Sequence, residues 1–324
     1  MSDHEFGLTL VLDRLSGLIR DEFHEVSKYV SVVIIGWGLP LVWSDEGLKS
    51  RIKFYQDEGV KAAMSGMLIE RSFQKSGMVE VLAKAKATGF DMVEISDGIV
   101  DMPAREKKNL VAKAKSLGLE VLFTVGKKDP AAQLSLNETL AQIQEGLRLD
   151  PFKVVIEGRE RGRGVGIYDT EGNVKWPVLR AITTTFDHRK LVFEAPSEAQ
   201  QASLIFELGP SVNLGHVALG SIATVQSERM GLRFDTFGID RPMEDLNAGP
   251  SVKFVLYAIR NHQPIDQKGL VGVTQLPRRT VQKALDDLLE HGLITEQTSF
   301  EDRRSRLYRA SAGKQPGLRK SRDQ

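Results

Sequence analysis

The sequence predicts an α/β chain. It places a (β/α)8 barrel (TIM barrel) at residues 1–240, a linker at 241–250, a small α+β winged-helix domain at 251–311 and a disordered basic tail at 312–324. Three observations predict this. Eight short apolar runs alternate with amphipathic stretches across the first 240 residues, and strand–helix alternation builds a parallel sheet. Eight such units match a closed barrel better than an open doubly wound sheet. After residue 250 the rhythm changes and the charge reverses: residues 251–324 carry 14 Lys and Arg against 8 Asp and Glu, and the remainder carries 30 against 35.

The predicted strands, in order, are LTLVL (8–12), SVVII (31–35), VKAAM (60–64), MVEI (92–95), EVLFTV (120–125), KVVI (153–156), KLVF (190–193) and SVNL (211–214). Between them lie helical patterns such as MVEVLAKAKATG and AREKKNLVAKAKSLG, the second closed by Gly118 as its C-terminal glycine. IDRPMEDLNAGP reads as a linker from its prolines, Asn247 and Gly249. Beyond it, SVKFVLYAIRNH, DQKGLVGV and LPRRTVQKALDDLLEHG read as three helices, the last with Pro277 near its start and Gly292 at its end. LITEQTSFEDRRSRLYRA reads as a two-stranded hairpin with a charged tip. Three helices and a hairpin spell a winged helix-turn-helix.

Composition narrows the classes. Apolar residues at 41% and charged residues at 27% are those of a globular protein with ample core. There is no cysteine, which excludes disulfides and thiolate catalysis and fits a reducing compartment. MSDHEFG carries charge where a leader would be apolar, and no apolar run reaches the length of a membrane span, so a cytoplasmic protein without membrane contact is expected.

The chemistry gathers after the strands. Asp13, Gly36-Trp37-Gly38, Ser65-Gly66, Ser96-Asp97-Gly98, Gly126-Lys127-Lys128, Glu157-Gly158-Arg159, Glu194-Ala195-Pro196 and Asn213-Leu214-Gly215 follow the eight runs. In a barrel these ends converge on one mouth, where ligands bind. Arg159, Arg161, Arg163, Lys127, Lys128 and Arg233 make that mouth fit for a multiply anionic small molecule, above all a phosphorylated acid. The glycines at 158, 162, 164 and 166 would let backbone N–H groups turn toward it. Asp13, Asp97, Glu157 and Glu194 offer hard oxygen donors of the kind Mg2+ takes; a ring of structural ion pairs is the alternative. No zinc-spaced His/Cys set and no Ser/His/Asp set occurs, and His216, after the eighth run, reads as a bystander.

GLTLVLD, GWG, EISDG, VGKKD, VIEGRERGRGVGIYD, VFEAP with Gln200-Gln201, SVNLG and GLRFDTFG occur in this order over residues 6–238. Together they resemble the phosphosulfolactate synthase family, which makes an early intermediate of coenzyme M. The resemblance implies a Mg2+-dependent (β/α)8 lyase that adds sulfite to phosphoenolpyruvate to give (2R)-phospho-3-sulfolactate. Sulfite attacks the methylene carbon, charge develops on the carboxylate, and an acid protonates the adjacent carbon. On that implication Lys128 is the acid, with Lys127 as substitute. Arg159, Arg163, Arg233, Asn213 and Gln200 bind substrate, and Asp13, Glu70, Asp97, Glu157 and Glu194 are the metal-shell candidates.

The chain departs from the family pattern at mouth positions. Ile34 stands where the family has lysine, Leu39 where it has threonine, Ser65 and Met67 where it has glycine and threonine, and Thr124 where it has glutamate. Gln226 and Phe234 replace a glutamate and a glycine. Loss of a lysine and a glutamate together leaves the net charge unchanged but alters the mouth. Two readings follow: a synthase with an appended DNA-binding module, or a transcription regulator whose barrel senses a phosphorylated or sulfonated acid without turnover. In the winged helix, Arg278, Arg279 and Lys283 lie early on the third helix, where bases are read, and Arg303, Arg304 and Arg306 lie on the wing, along phosphates. Duplex DNA is the expected partner, met by a homo-oligomer presenting two modules.

Overall fold

The computed structural model describes residues 6–14, 20–36, 38–73, 77–233, 236, 249–262, 264–290, 293–298 and 305–310. The chain divides into two compact units, Met1–Asp235 and Thr236–Gln324. The predicted linker to residue 248, the tail from 312, and Trp37, Phe234, Gly292, Arg303 and Arg304 lie outside the described residues.

The first unit is a closed parallel barrel of eight strands in sequential order. They are β1 Thr9–Asp13, β2 Val32–Ile35, β3 Lys61–Met64, β4 Met92–Ile95, β5 Glu120–Val125, β6 Lys153–Ile156, β7 Leu191–Glu194 and β8 Leu214–Ala218. Helices return the chain between strands. Gly89 and Gly118 end two of them with left-handed backbones, φ +105° and +70°, where a Cβ would be strained. The helix Leu136–Arg148 starts with a full capping box between Ser135 and Glu138.

The eighth strand is displaced from its predicted place. SVNL only leads into it, and β8 begins at Leu214. The cause is Asn213, whose side chain is committed to the backbone. It accepts from Leu8 N at 2.8 Å and donates to Leu191 O at 2.7 Å and Arg189 O at 2.9 Å. All three partners lie at or before strand starts, so Asn213 closes the end of the barrel opposite the mouth.

Inside the barrel, pleat alternation sets the layers, since side chains two apart on a strand face the same side. Leu10, Leu12, Val32, Ile34, Ala63, Met92, Leu122, Val155 and Val192 form one apolar plug drawn from seven strands. Two residues further along the strands the character changes: Met92 leads to Glu94, Leu122 to Thr124, Val155 to Glu157 and Val192 to Glu194. The plug thus becomes the floor of a polar mouth in a single pleat step.

The second unit packs the helices Pro250–His262, Gln267–Thr274 and Arg278–Glu290 on a sheet of β9 Ile265–Asp266, β10 Ile294–Thr298 and β11 Arg306–Ala310. The sheet order is β10–β11–β9, so the expected two-stranded hairpin gains a third strand. Val255, Leu256, Ile259, Leu270, Val281 and Leu285 fill the core. On the third helix Val281, Ala284, Leu285 and Leu288 recur at helical spacing and leave the opposite face to water. Gln275, at φ +56°, makes the tight turn between the second and third helices.

Candidate active site at the barrel mouth

Lys128 is the centre of the mouth. Its amide donates to Gly98 O at 2.8 Å, and its stem runs so close to Gly98 that a Cβ there would stand 3.1 Å from Lys128 Cγ. The ammonium donates to Glu157 Oε2 at 2.8 Å. The other oxygen, Glu157 Oε1, accepts from Arg159 N at 2.7 Å. Beside it, Glu194 accepts from Gly158 N at 2.7 Å and stands 3.1 Å from His216 Nε2. Glu94 accepts from Gly66 N and from the Thr124 hydroxyl, each at 2.8 Å. Leu12, Ser65, Met67, Glu160 and Ser96 complete the cavity that Glu94, Lys128 and His216 line.

Three carboxylates therefore face one ammonium, and the titrations follow. Burial alone would lower Lys128, but Glu157, Glu194 and Glu94 overcome it and hold the ammonium above its usual range. Burial lifts Glu157 to about 8, with the charge of Glu194 adding to the effect and Lys128 opposing it. Burial likewise raises Glu194 to about 7, opposed by Lys128 and assisted by Glu94. Burial holds His216 below its usual value, with the charge of Glu157 opposing it. The ammonium has more carboxylates than it needs and the carboxylates have too few cations, so the cluster retains protons that exposed carboxyls would lose.

The arginine-rich loop after β6 is built differently from the expected glycine cradle. The N–H groups of its glycines are engaged within the fold: Gly158 with Glu194, Gly162 with Arg159 O, Gly164 with Asp169 O and Gly166 with Gln133 Oε1. Val165, Ile167 and Tyr168 are buried beneath it, and the Tyr168 hydroxyl donates to Glu194 O at 2.6 Å. Gln200 does not face a ligand. Its amide nitrogen donates to Gly162 O at 2.7 Å and Gly172 O at 2.9 Å, which makes it a brace for the loop. Arg161 and Arg163 are left exposed, and Arg159 is half-buried with Glu160 at 3.8 Å. Arg233 is half-buried and pairs with Glu198 at 3.2 Å.

Other expected roles are corrected by geometry. Asn213 closes the far end of the barrel and reaches no mouth ligand. Lys127, the substitute acid, donates to Asp97 O and Asp101 Oδ1, away from the cluster. Of the metal-shell candidates, Asp13 takes a two-point bond from Arg51 and a third from Tyr55. Glu70 accepts from the Ser96 hydroxyl and from Ile99 N and Val100 N. Asp97 Oδ2 is held by Lys107 at 3.0 Å, with Lys127 at 3.6 Å. Glu157 and Glu194 have both oxygens engaged as above, so only Asp97 Oδ1 lacks a partner. Among the described residues no three His, Asp or Glu side chains could hold a metal ion together. No step below runs through a metal ion.

Sequence reasoning passed over Glu94, noted Thr124 only as a departure from the family pattern and set His216 aside as a bystander; all three lie within strands and not after them. The signal available was period two: Glu94 shares its face with Met92 and Thr124 with Leu122. Ile34 sits in the apolar plug, and Gln226 is buried on the helix Ile222–Arg229.

In the second unit Arg278, Arg279 and Lys283 are exposed on the third helix. Arg306, expected at the wing, pairs across the sheet with Glu296. Among the described residues, no helix is long and apolar enough to cross a membrane.

A closed eight-stranded parallel barrel with a lysine–carboxylate cluster at its mouth, followed by a winged helix, defines the class. More particularly, residues 2–235 match the (2R)-phospho-3-sulfolactate synthase (ComA) family and residues 249–305 the MarR family. The chain belongs to the phosphosulfolactate synthase family and carries a C-terminal MarR-family winged helix. It is 38% identical to the phosphosulfolactate synthase of Methanocaldococcus jannaschii over 242 residues, which covers 73% of this chain and 96% of that one. The synthase of Methanothermobacter thermautotrophicus is 34% identical, covering 72% of this chain and 92% of its own. That of Bacillus subtilis is 31% identical, at 72% and 93% coverage.

Proposed function

We propose that the barrel adds sulfite to phosphoenolpyruvate, giving (2R)-phospho-3-sulfolactate, and that the winged helix binds duplex DNA. The observation that carries the catalytic reading is Lys128: a protonated amine held on a carboxylate cluster at the mouth of a barrel of this family. Both substrates are anions that repel each other. The exposed guanidinium groups of Arg161 and Arg163, with Arg159, grip phosphate and carboxylate and hold the two in contact. As sulfur bonds to the methylene carbon, the double-bond electrons move toward the carboxylate, and Lys128 delivers a proton to the neighbouring carbon. Mg2+ stays part of this reading on the strength of the family alone; a chelator titration of the rate tests it.

Purified protein incubated with phosphoenolpyruvate, sulfite and Mg2+ should yield a new phosphorus NMR resonance for the product. If no product forms while phosphoenolpyruvate still raises the melting temperature, the barrel is a sensor. One observation favours that second reading: Ile34 is sealed in the apolar plug and Thr124 serves only to bond Glu94.

For the winged helix, Arg278, Arg279 and Lys283 present positive charge on the face that a major groove meets. Binding, by a homo-oligomer presenting two modules, should weaken steeply with salt as phosphate contacts release counterions. An anisotropy titration on DNA upstream of the gene, with and without phosphoenolpyruvate, measures both the affinity and any coupling to the barrel. Failure to bind any duplex at low salt would sink this part.

A further inference from the structure

Five consecutive residues after β4 are each held by a named partner, and the middle one touches Lys128. The Ser96 hydroxyl donates to Glu70 Oε1, and the amides of Ile99 and Val100 donate to Glu70 Oε2 at 2.7 and 3.1 Å. Asp97 is held twice, its carboxylate by Lys107 at 3.0 Å and its carbonyl by the Lys127 ammonium at 2.7 Å. Gly98 O takes the amide of Lys128 at 2.8 Å. Ser96 is also seated against Gly66, where a Cβ would stand 2.3 Å from its hydroxyl oxygen. Such a bend has no ladder or helix of its own, so its backbone N–H groups need side-chain partners.

Glu70, 1% exposed on the helix Met67–Phe73, gives both oxygens to this bend. Burying a carboxylate is unfavourable, and three donors from one bend offset that. The bend in turn shapes the path of Lys128. The missing side chain at Gly98 leaves the gap through which the lysine stem runs: a Cβ there would stand 3.1 Å from Lys128 Cγ, 3.3 Å from its Cε and 3.6 Å from Glu157 Oε2. By way of that gap the ammonium reaches Glu157 at 2.8 Å.

We infer that Glu70 is a positioning residue for Lys128: by clamping residues 96–100 it fixes the Gly98 carbonyl and the gap beside it, and so aims the ammonium within the mouth. Its effect on rate rests on the sulfite-addition reading; its effect on the bend does not. A proton donor acts over hydrogen-bond distances, so a shift of about 1 Å in a lysine guided by a neighbouring bend can cost on the order of a hundredfold in rate. Glu70 touches no substrate in this scheme, so the loss falls on kcat and not on binding.

The test compares Glu70→Ala, Glu70→Gln and Gly98→Ala in the full chain. Glutamine can keep the clamp, with its oxygen accepting from Ile99 N and Val100 N and its amide donating to the Ser96 hydroxyl. Glu70→Ala should lower kcat on the order of a hundredfold, with KM for phosphoenolpyruvate and sulfite within about twofold of the wild type. Glu70→Gln should recover kcat to within several-fold. Gly98→Ala leaves the clamp intact and pushes the added methyl onto the lysine stem, and alanine suits a backbone that is not left-handed. It should cost about tenfold in kcat, and it decides the matter if Glu70→Ala does not fold. Amide hydrogen exchange reads the clamp without turnover: exchange at Ile99, Val100 and Lys128 should be fast in Glu70→Ala and slow in the wild type and in Glu70→Gln. A glutamine variant as impaired as the alanine one shows that the carboxylate itself is needed and overturns the inference. So does a rise in KM at constant kcat, a full rate in Gly98→Ala, or exchange at Lys128 that is indifferent to Glu70. No turnover in the wild-type chain overturns the synthase reading, and exchange at Lys128 then decides the clamp by itself.

Discussion

The two ends of the barrel use the same residue types to opposite effect. At the closed end, Asn213 binds one amide and two carbonyls, and the buried Arg229 donates to Pro210 O and Leu8 O. Lys115 likewise bonds the carbonyls of Leu149 and Asp150. At the mouth, Lys128 bonds Glu157 and His216 meets Glu194, side chain to side chain, while a backbone amide holds the second oxygen of each carboxylate. Backbone partners cannot titrate, so polar groups at the closed end lock the chain. Side-chain partners can exchange protons, so the mouth stores them. The difference teaches that charge inside a barrel becomes chemistry where its partners are themselves ionisable.

The largest expected effect breaks the mouth. Lys128→Ala should cut turnover on the order of 10²–10⁴-fold, with a retained rise in melting temperature on adding phosphoenolpyruvate as the check that the barrel folds. Lys127→Ala, whose amine is tied to Asp97 and Asp101, should leave most of the rate. Equal losses in the two would show that the assignment of the acid is wrong.

Next comes pH. Glu157 and Glu194 titrate in the folded chain at about 8 and about 7, above the roughly 4.3 of an unfolded glutamate. Their protonated forms are the stabilised ones. Their contribution is therefore full below the unfolded value and is lost as pH rises through about 7 and 8. Denaturant melts between about pH 5 and 8 should show wild-type stability falling relative to Glu157→Gln by about 2–4 kcal/mol. A parallel pair of curves would contradict the raised titration of Glu157.

At the closed end, Asn213→Ala should cost about 2–3 kcal/mol of stability, because buried backbone groups lose their partners. The catalytic constant should be unchanged. A large change in kcat at constant stability would mean that the two ends are not separable. Smaller still is Arg163→Ala: loss of an exposed guanidinium that is proposed to grip the substrate should raise KM for phosphoenolpyruvate several-fold, about 1 kcal/mol, with stability unaltered. The smallest expected effect is in the second unit. Arg306→Ala should change the stability of the sheet by about 0–1 kcal/mol, since its pair with Glu296 is exposed.

Much of the fold could be read from the chain because apolar runs and helix stops are local signals. The first seven strands fall within a residue of their runs. β8 slipped because SVNL is apolar enough for a strand, whereas Asn213 draws its backbone partners from Leu8, Arg189 and Leu191, which no local pattern reveals. β9 is two residues long and exists only because β11 pairs with it. The place of Lys128 at the mouth could be found from its position after a strand. Glu70 and Asp13 could not be told from metal ligands, because a carboxylate that caps a loop or binds a buried arginine has the same letter in a sequence. His216 was discounted because its chain position gives no hint of Glu194 at its side.

The brace at Gln200 bears on selectivity. One amide grips two turns of the arginine loop, at Gly162 and Gly172, and the capping box of the helix Ser197 opens anchors that amide in turn. The spacing between backbone anchors of Arg159, Arg161 and Arg163 is thereby fixed before any ligand arrives. On the proposed function, an anion whose groups match that spacing would bind without the entropic cost of ordering a loop. One a bond longer or shorter would find no compliance in the backbone, and the loop would act as a gauge of length.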